Sequence, residues 1–336
     1  MMKMSSDTIA TIRLRSHLLT HPVFRTPKEI VSWMGAMQAQ DYNMAKLAIG
    51  VRLPGSTDKL IEEAYNKGEI LRTHVMRPTW HFVTPEDIRG MLRLSADKIK
   101  SSSRSRDRDL GITEALYEKS NRLIRKTLEG DKHLTRKELA VVFNKAGLSA
   151  DTACMTHFMM RAEVEALVCS GRMQGKEHTY TLLEERVPSC PLPTKEEALA
   201  KLARNYFSSH CPATIQDFVW WSGLSLSEAK TGLEAVKQDF FTEKIKEQTY
   251  WIAQSFGNNP PAEDSTFLLP AFDEYIIAYR DRTAVLPSAN HSKAVSSNGI
   301  FRPVIIVNGQ VVGVWKKSAG KKQAIQTDYF EPLPEK

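Results

Sequence analysis

The sequence predicts a mostly helical α+β fold: three helix-rich modules in tandem, each closed by a two-stranded ribbon, then a small C-terminal antiparallel β-barrel. Three observations predict it. The first is a recurring segment: Thr26-Pro27-Lys28-Glu29-Ile30-Val31, then Thr135-Arg136-Lys137-Glu138-Leu139-Ala140, then the looser Thr214-Ile215-Gln216-Asp217-Phe218-Val219. Each copy puts a hydroxyl at a helix N-cap and an acid three residues later, just before an apolar run. That is the capping-box pattern, with Asp217 standing where Glu or Gln is usual. The second is a pair of short strand-like runs further along each copy, at Leu71 to Val83, Arg172 to Leu183 and Phe241 to Ala253. The third is a change to strand character after Pro261, with Asn308-Gly309 as a hairpin turn between Val304-Ile305-Ile306-Val307 and Val311 to Trp315. Helices followed by a ribbon is the order of a winged helix, a helix-turn-helix variant. Three in tandem imply a molecule shaped to hold a nucleic acid.

The elements follow in order. Ile9, Ile12, Leu14, Leu18 and Leu19 form a helical stripe that opens the first module, residues 5–103. A second helix starts at the Thr26 cap and runs to about Met37. A third apolar run spans Met44 to Leu53 and stops at Pro54-Gly55. Thr57 caps a further helix. The ribbon turns at Arg77-Pro78, and Thr84-Pro85-Glu86-Asp87 starts the next helix with proline in its first turn. Arg104 to Gly111 is charge-dense and polar and is expected to be a linker. The second module, 112–187, holds helices at about Thr113 to Leu128, Thr135 to Ala146 and Ala150 to Cys169, with Gly147 as a helix stop. Pro188, Pro191 and Pro193 mark a boundary. The third module, 194–256, opens on a further box, Thr194 with Glu197. Its Trp220-Trp221 pair is expected in the core. The barrel is expected over residues 262–336, with a polar loop from Pro287 to Asn298 and a last strand within Ala324 to Phe330.

The 336 residues are 42% hydrophobic and 25% charged, an ordinary globular balance for two or three domains. No stretch reaches the length of a bilayer span, and the N-terminus lacks the apolar core of a secretory signal, so a cytoplasmic protein is expected. Cys154, Cys169, Cys190 and Cys211 are widely spaced, which points to free thiols and no structural zinc. A net charge of +7 and a pI near 9.1 lean toward polyanions. Cations crowd two stretches, Lys98 to Arg108 around Ser101-Ser102-Ser103, and Lys316, Lys317, Lys321 and Lys322. Phosphate-binding loops, dinucleotide fingerprints, nucleophile elbows and zincin motifs are absent, so neither a cofactor nor a catalytic metal is expected.

Three clusters remain as candidates. In Gln38-Ala39-Gln40-Asp41-Tyr42 the two amides share no helix face, but in an extended or turn segment they point the same way. They could hold one water or a sugar-phosphate oxygen, or simply be solvated. Asp41 could assist as a carboxylate or cap the next helix. Leu268 to Tyr275 with Tyr279-Arg280-Asp281-Arg282 builds a binding surface or a salt-bridged interface, with Arg280 on Asp281 or Asp273. The first ribbon, with Arg72, His74, Arg77, Trp80 and His81, either meets phosphate or is a solvated tip.

Met34 to Asp41, with its Gln-x-Gln at Gln38 and Gln40, resembles the signature of AlkZ-like winged-helix DNA glycosylases. Met76 to Val83, Leu268 to Asp273, Tyr279 to Arg282, Asn298 to Pro303 and Gly309 to Trp315 resemble that family too, in the same order along nearly the whole chain. Pro78 departs from the pattern, where relatives often carry Gly. The resemblance implies three winged helices in a C shape plus a β-barrel, excision of alkylated purines from DNA, and Gln38 and Gln40 as catalytic residues. Arg77, His81, Arg280, Arg282, Arg302 and Lys316 are the expected contacts to double-stranded, alkylated DNA, made by a monomer without membrane attachment. The alternative is a winged-helix DNA-binding protein or regulator without catalysis; a third reading is a scaffold that uses its barrel for protein contacts.

Overall fold

The computed structural model describes residues 5–245, 247–256, 264–318 and 324–332. The chain divides into two compact units, one drawn from residues 1–61 and 199–336, the other from residues 62–198. In chain order the elements before the first ribbon are α1 (Ser6–Ser16), α2 (Pro27–Met34), β1 (Met37–Gln38), α3 (Tyr42–Gly50) and α4 (Asp58–Lys67). Then come β2 (Leu71–Val75), β3 (Thr79–Val83), α5 (Pro85–Asp109), α6 (Glu114–Leu128), β4 (Leu134–Thr135), α7 (Arg136–Lys145), α8 (Thr152–Val164), β5 (Val168–Ser170), β6 (Thr179–Leu182) and α9 (Leu183–Arg186). The remainder is α10 (Lys195–Ser209), α11 (Ile215–Ser222), α12 (Leu226–Glu234), β7 (Phe240–Ile245), β8 (Gln248–Ala253), β9 (Thr266–Leu269), α13 (Glu274–Ile277), α14 (His291–Ala294), β10 (Val304–Val307), β11 (Gln310–Lys317) and β12 (Ile325–Tyr329).

All three recurring boxes form. The hydroxyls of Thr26, Thr135 and Thr214 accept from the backbone N–H of Glu29, Glu138 and Asp217, and each acid reaches back to the cap's own N–H. Asp217 closes its box despite its shorter side chain. Two N–H groups that the helix cannot use are satisfied each time. Chain order nonetheless puts the first box out of step. One helix, α8 or α12, separates the second and third boxed helices from their ribbons, whereas α3 and α4 both intervene after α2.

Within residues 62–198 the order α6, β4, α7, α8, β5, β6 is that of a winged helix. Its three strands pair as β4-β6-β5 over a core of Ile124, Leu139, Phe143, Phe158 and Val168. Residues 104–111, expected as a linker, instead continue α5 to Asp109. Arg, Lys, Ser and Asp are tolerated in a helix; the stop waits for Gly111, at φ 66. Buried Asp107 anchors this end, accepting from Tyr117 Oη at 2.7 Å and His157 Nδ1 at 2.6 Å.

In the other unit, β7 and β8 pair in full register after α11 and α12, and Ala213 bridges Trp251, a second winged-helix order. Trp221 is buried in its core, but Trp220 is 40% exposed. Among the described residues the C-terminal strands do not close the expected barrel. The described strands make an open antiparallel sheet ordered β12-β11-β10-β9. Four strands are too few to close, and β12 lies exposed as an edge. The stripe of α1 packs Ile9, Ala10 and Leu14 against this sheet's Leu269, Val304, Ile306 and Val311. Asn308-Gly309 turns β10 into β11 with φ 49 and 83, the left-handed pair that a two-residue hairpin requires. The expected loop at 287–298 contains a 3₁₀ turn and α14. Lys321 and Lys322 lie outside the described residues.

Candidate active site

The glutamine segment is built by the way α2 ends. Gly35 caps α2 at φ 77, a conformation that favours glycine, and a Cβ there would sit 3.1 Å from Asn205 Cβ. The chain leaves extended through Met37 and Gln38, bends at Gln40, and re-enters a helix at Asp41. Asp41 is the N-cap of α3: its Oδ1 accepts from Asn43 N and Met44 N, both at 3.0 Å. Gln38 is 9% exposed, whereas Gln40 is exposed.

Gln38 Oε1 is buried and accepts no hydrogen bond among the described residues. Its backbone N–H donates to Glu274 Oε1 at 2.7 Å, across 236 residues of sequence. Glu274 is 1% exposed, and its Oε2 accepts from the Trp221 indole at 2.9 Å. The preceding residue, Asp273, takes the Arg52 guanidinium in a fork, at 2.7 and 2.8 Å, with both side chains fully buried. Arg52 also donates to Ala48 O, at the C-terminal end of α3. The dipeptide Asp273-Glu274 therefore grips the entry to α3 and its exit.

Beside this dipeptide is a buried cluster of rings. Tyr279 Oη donates to His210 O at 2.8 Å, so its contact with His17 Nε2 at 2.7 Å makes that nitrogen the protonated one. Burial drives the His17 imidazole well below its ordinary pKa, and nearby His210, Arg52 and Arg13 push the same way. His210 is lowered by burial against the opposing pull of Glu274, 3.7 Å away. Arg13 stacks 3.5 Å over the Tyr279 ring and donates to Pro212 O.

The other expected contacts divide by exposure. Arg77 is half-buried at the β2–β3 turn. His81 is only 1% exposed, and its Nδ1 donates to Thr79 O at 2.9 Å, which turns the ring into the hairpin. Arg280 is exposed, and its backbone N–H donates to Asp217. The expected pairing of Arg280 with Asp273 or Asp281 does not occur: Asp273 holds Arg52 and Asp281 holds Thr283. Arg282 donates to Ile276 O and lies 5.0 Å over Phe301. Arg302 and Lys316 are exposed and line one cavity of about 820 Å³ with Asp328. In the 62–198 unit a second cavity, about 580 Å³, is lined by Arg72, Trp80, Arg136, Lys137 and Lys176, with the Arg72 guanidinium 4.2 Å over the Trp80 ring.

Glu274 and Arg52 are the members of this site that sequence reasoning missed. The acid sits in a segment already singled out, but nothing local marks its partners. Among the described residues no group of three or more His, Cys, Asp and Glu could hold a metal, and no helix is long and apolar enough to cross a membrane.

A solved structure of Streptomyces sahachiroi DNA glycosylase AlkZ superposes with a TM-score of 0.84, covering 99% of this chain and 93% of that one at 21% identity. That likeness shows the fold. A protein of the same organism named interstrand DNA cross-link repair glycosylase is 24% identical over 331 residues, 94% of this chain and 88% of the relative. The family model for DNA glycosylase AlkZ-like proteins matches residues 31–336, a span that takes in the glutamine segment, the Asp273-Glu274 grip and the open sheet alike. The chain belongs to the AlkZ-like DNA glycosylase family.

Proposed function

We propose that this DNA glycosylase is monofunctional and hydrolyses the N-glycosidic bond of alkylated purines in double-stranded DNA, interstrand crosslinks included, with Gln38 and Gln40 carrying the step. The name of the Streptomyces sahachiroi relative supports extending the substrate class to crosslinks. An N7- or N3-alkylated purine is cationic and departs without a general acid. Water oxygen attacks the anomeric carbon, the glycosidic bond breaks, and its electron pair neutralises the departing ring. The barrier that remains is an oxocarbenium-like sugar and the delivery of water. A glutamine carbonyl is a poor base, but it orients a water by accepting one of its O–H groups.

One observation carries this reading: the buried Gln38 Oε1 has no donor among the described residues. Such an atom costs a folded protein about 1–3 kcal/mol, and proteins keep such costs at functional sites. Asp41 is the nearest acid in sequence to take the water's proton, while its Oδ1 caps α3. Arg77, Arg280, Arg302 and Lys316 grip phosphates, so affinity for duplex falls steeply with salt. The protein works as a monomer in the cytoplasm, on the nucleoid when DNA-bound. The test is incubation with duplex containing 7-methylguanine, scored as abasic sites, beside Gln38→Ala and Gln40→Ala. Both variants slow release and keep duplex affinity; release by both at the parental rate defeats the assignment.

A further inference from the structure

We propose that Glu274 is a positioning residue for the glycosylase step: its carboxylate sets the direction of the Gln38 side chain by holding the Gln38 backbone N–H. The inference rests on the reading of Gln38 given above. Three observations support it independently of that reading.

The first is chemical. A carboxylate acceptor makes a hydrogen bond shorter and about twice as strong as a neutral one, and the 2.7 Å contact is at the short end for N–H···O. Backbone amides in extended segments ordinarily meet backbone carbonyls, which carry no net charge. Here a side-chain carboxyl is used instead. Taking a carboxylate out of water costs several kcal/mol, and Glu274 is 1% exposed.

The second is geometric. The hydrogen bond orients the peptide plane that leads into Gln38. With that plane held, the Cα–Cβ bond and the side chain beyond it have a defined start. Glu274 cannot drift, because its second oxygen is held by the Trp221 indole at 2.9 Å. Its own Cα is held too: the neighbouring Asp273 caps α13 through Tyr275 N and is locked to Arg52. Gly35, immediately upstream, packs against the same Trp221 ring, so a Cβ there would meet Trp221 Cη2 at 3.6 Å.

The third is the arrangement of the dipeptide. Asp273 reaches the exit of α3 through Arg52 and Ala48, while Glu274 reaches its entry at Gln38. One rigid turn thus holds the whole glutamine-helix unit. A residue that only filled the core would not need a carboxylate on the single backbone amide that precedes the Gln38 side chain.

The experiment compares parental protein, Glu274→Gln, Gln38→Ala and the double variant in single-turnover release from 7-methylguanine duplex, with duplex Kd and melting temperature measured alongside. Glutamine keeps the size of Glu274 but offers only one acceptor to the two donors. Misplacing a water-orienting group by about 1 Å costs up to about 10²-fold, so Glu274→Gln slows release by between about tenfold and 10²-fold at unchanged Kd. In the Gln38→Ala background the same change slows release by less than about threefold, because the two residues act as one unit. Equal slowing in both backgrounds marks a general structural role and overturns the proposal, as does parental release by Glu274→Gln. Should Gln38→Ala itself release at the parental rate, the failure belongs to the site reading instead. A second measurement uses the unmutated protein, so it survives any folding defect. The Gln38 amide proton resonates downfield of ordinary backbone amides when held by a carboxylate, and a Gln38 amide in the ordinary range overturns the proposal.

Discussion

Replacing Gln38 with methionine separates stability from activity. Oε1 is buried without a donor among the described residues, which charges the fold about 1–3 kcal/mol. Methionine is close to glutamine in length and removes that acceptor while filling the same space. The contact with Glu274 is made by the backbone N–H and survives the change. The expected net effect of Gln38→Met is therefore a gain of about 1 kcal/mol, read as a rise of roughly 2 °C in melting temperature for a chain of this size. Base release moves the other way. Losing a carbonyl that orients the attacking water is comparable to losing one preorganised polar contact in an active site, about 10²–10³-fold in rate. Scanning calorimetry and single-turnover release from 7-methylguanine duplex read the two effects on one preparation. A variant that melts lower than the parent shows that Oε1 is paired in solution. A variant that melts higher but releases base at full rate shows that the orphan acceptor has no catalytic role.

Asp273→Asn leaves the Arg52 charge buried without its counter-ion and is expected to cost about 3–5 kcal/mol in urea unfolding; the paired change Arg52→Met with Asp273→Leu costs much less, because neither charge remains. Burial holds His17 and His210 neutral in the folded chain while the unfolded chain protonates near 6.5. The unfolded state thus binds more protons below that value, so stability, level above about pH 7, falls as pH drops through 6.5. His17→Gln flattens that fall in urea midpoints taken from pH 7.5 to 5; an unchanged slope assigns the protons elsewhere. Gly309→Ala forces a side chain onto φ 83 and places its Cβ 2.8 Å from Ala10 Cβ, so it is expected to lower stability by at least about 2 kcal/mol and to loosen α1 from the sheet, read by hydrogen exchange at Ile9 and Leu14.

The segments that were legible in the sequence carry their cause within a few residues. Thr26, Thr135 and Thr214 cap helices because the acid that completes each box is three residues away. The ribbon from Leu71 to Val83 follows from two short strand-like runs about Arg77-Pro78, and the Asn308-Gly309 hairpin from a turn that only a few residue types adopt. The glutamine pair was visible as a pattern, but its surroundings were not. The expectation that both amides face one way allowed the segment to be extended or a turn. The cap at Asp41 bends it, and only Gln38 is buried. Residues 104–111 misled because charge density resembles a linker, yet charged residues continue a helix when buried anchors such as Asp107 hold it.

The chain alone determined where helices start, where ribbons turn, and which short segments carry amides, acids and arginines, since those outcomes depend on neighbours in sequence. Folding decided the rest. Glu274 meets Gln38 across 236 residues, and Asp273 meets Arg52 across 221. The α1 stripe finds the C-terminal sheet, and that sheet stays open. Burial, the loss of a hydrogen-bond donor and the depression of a histidine all depend on which distant atoms exclude water, and no local pattern encodes that.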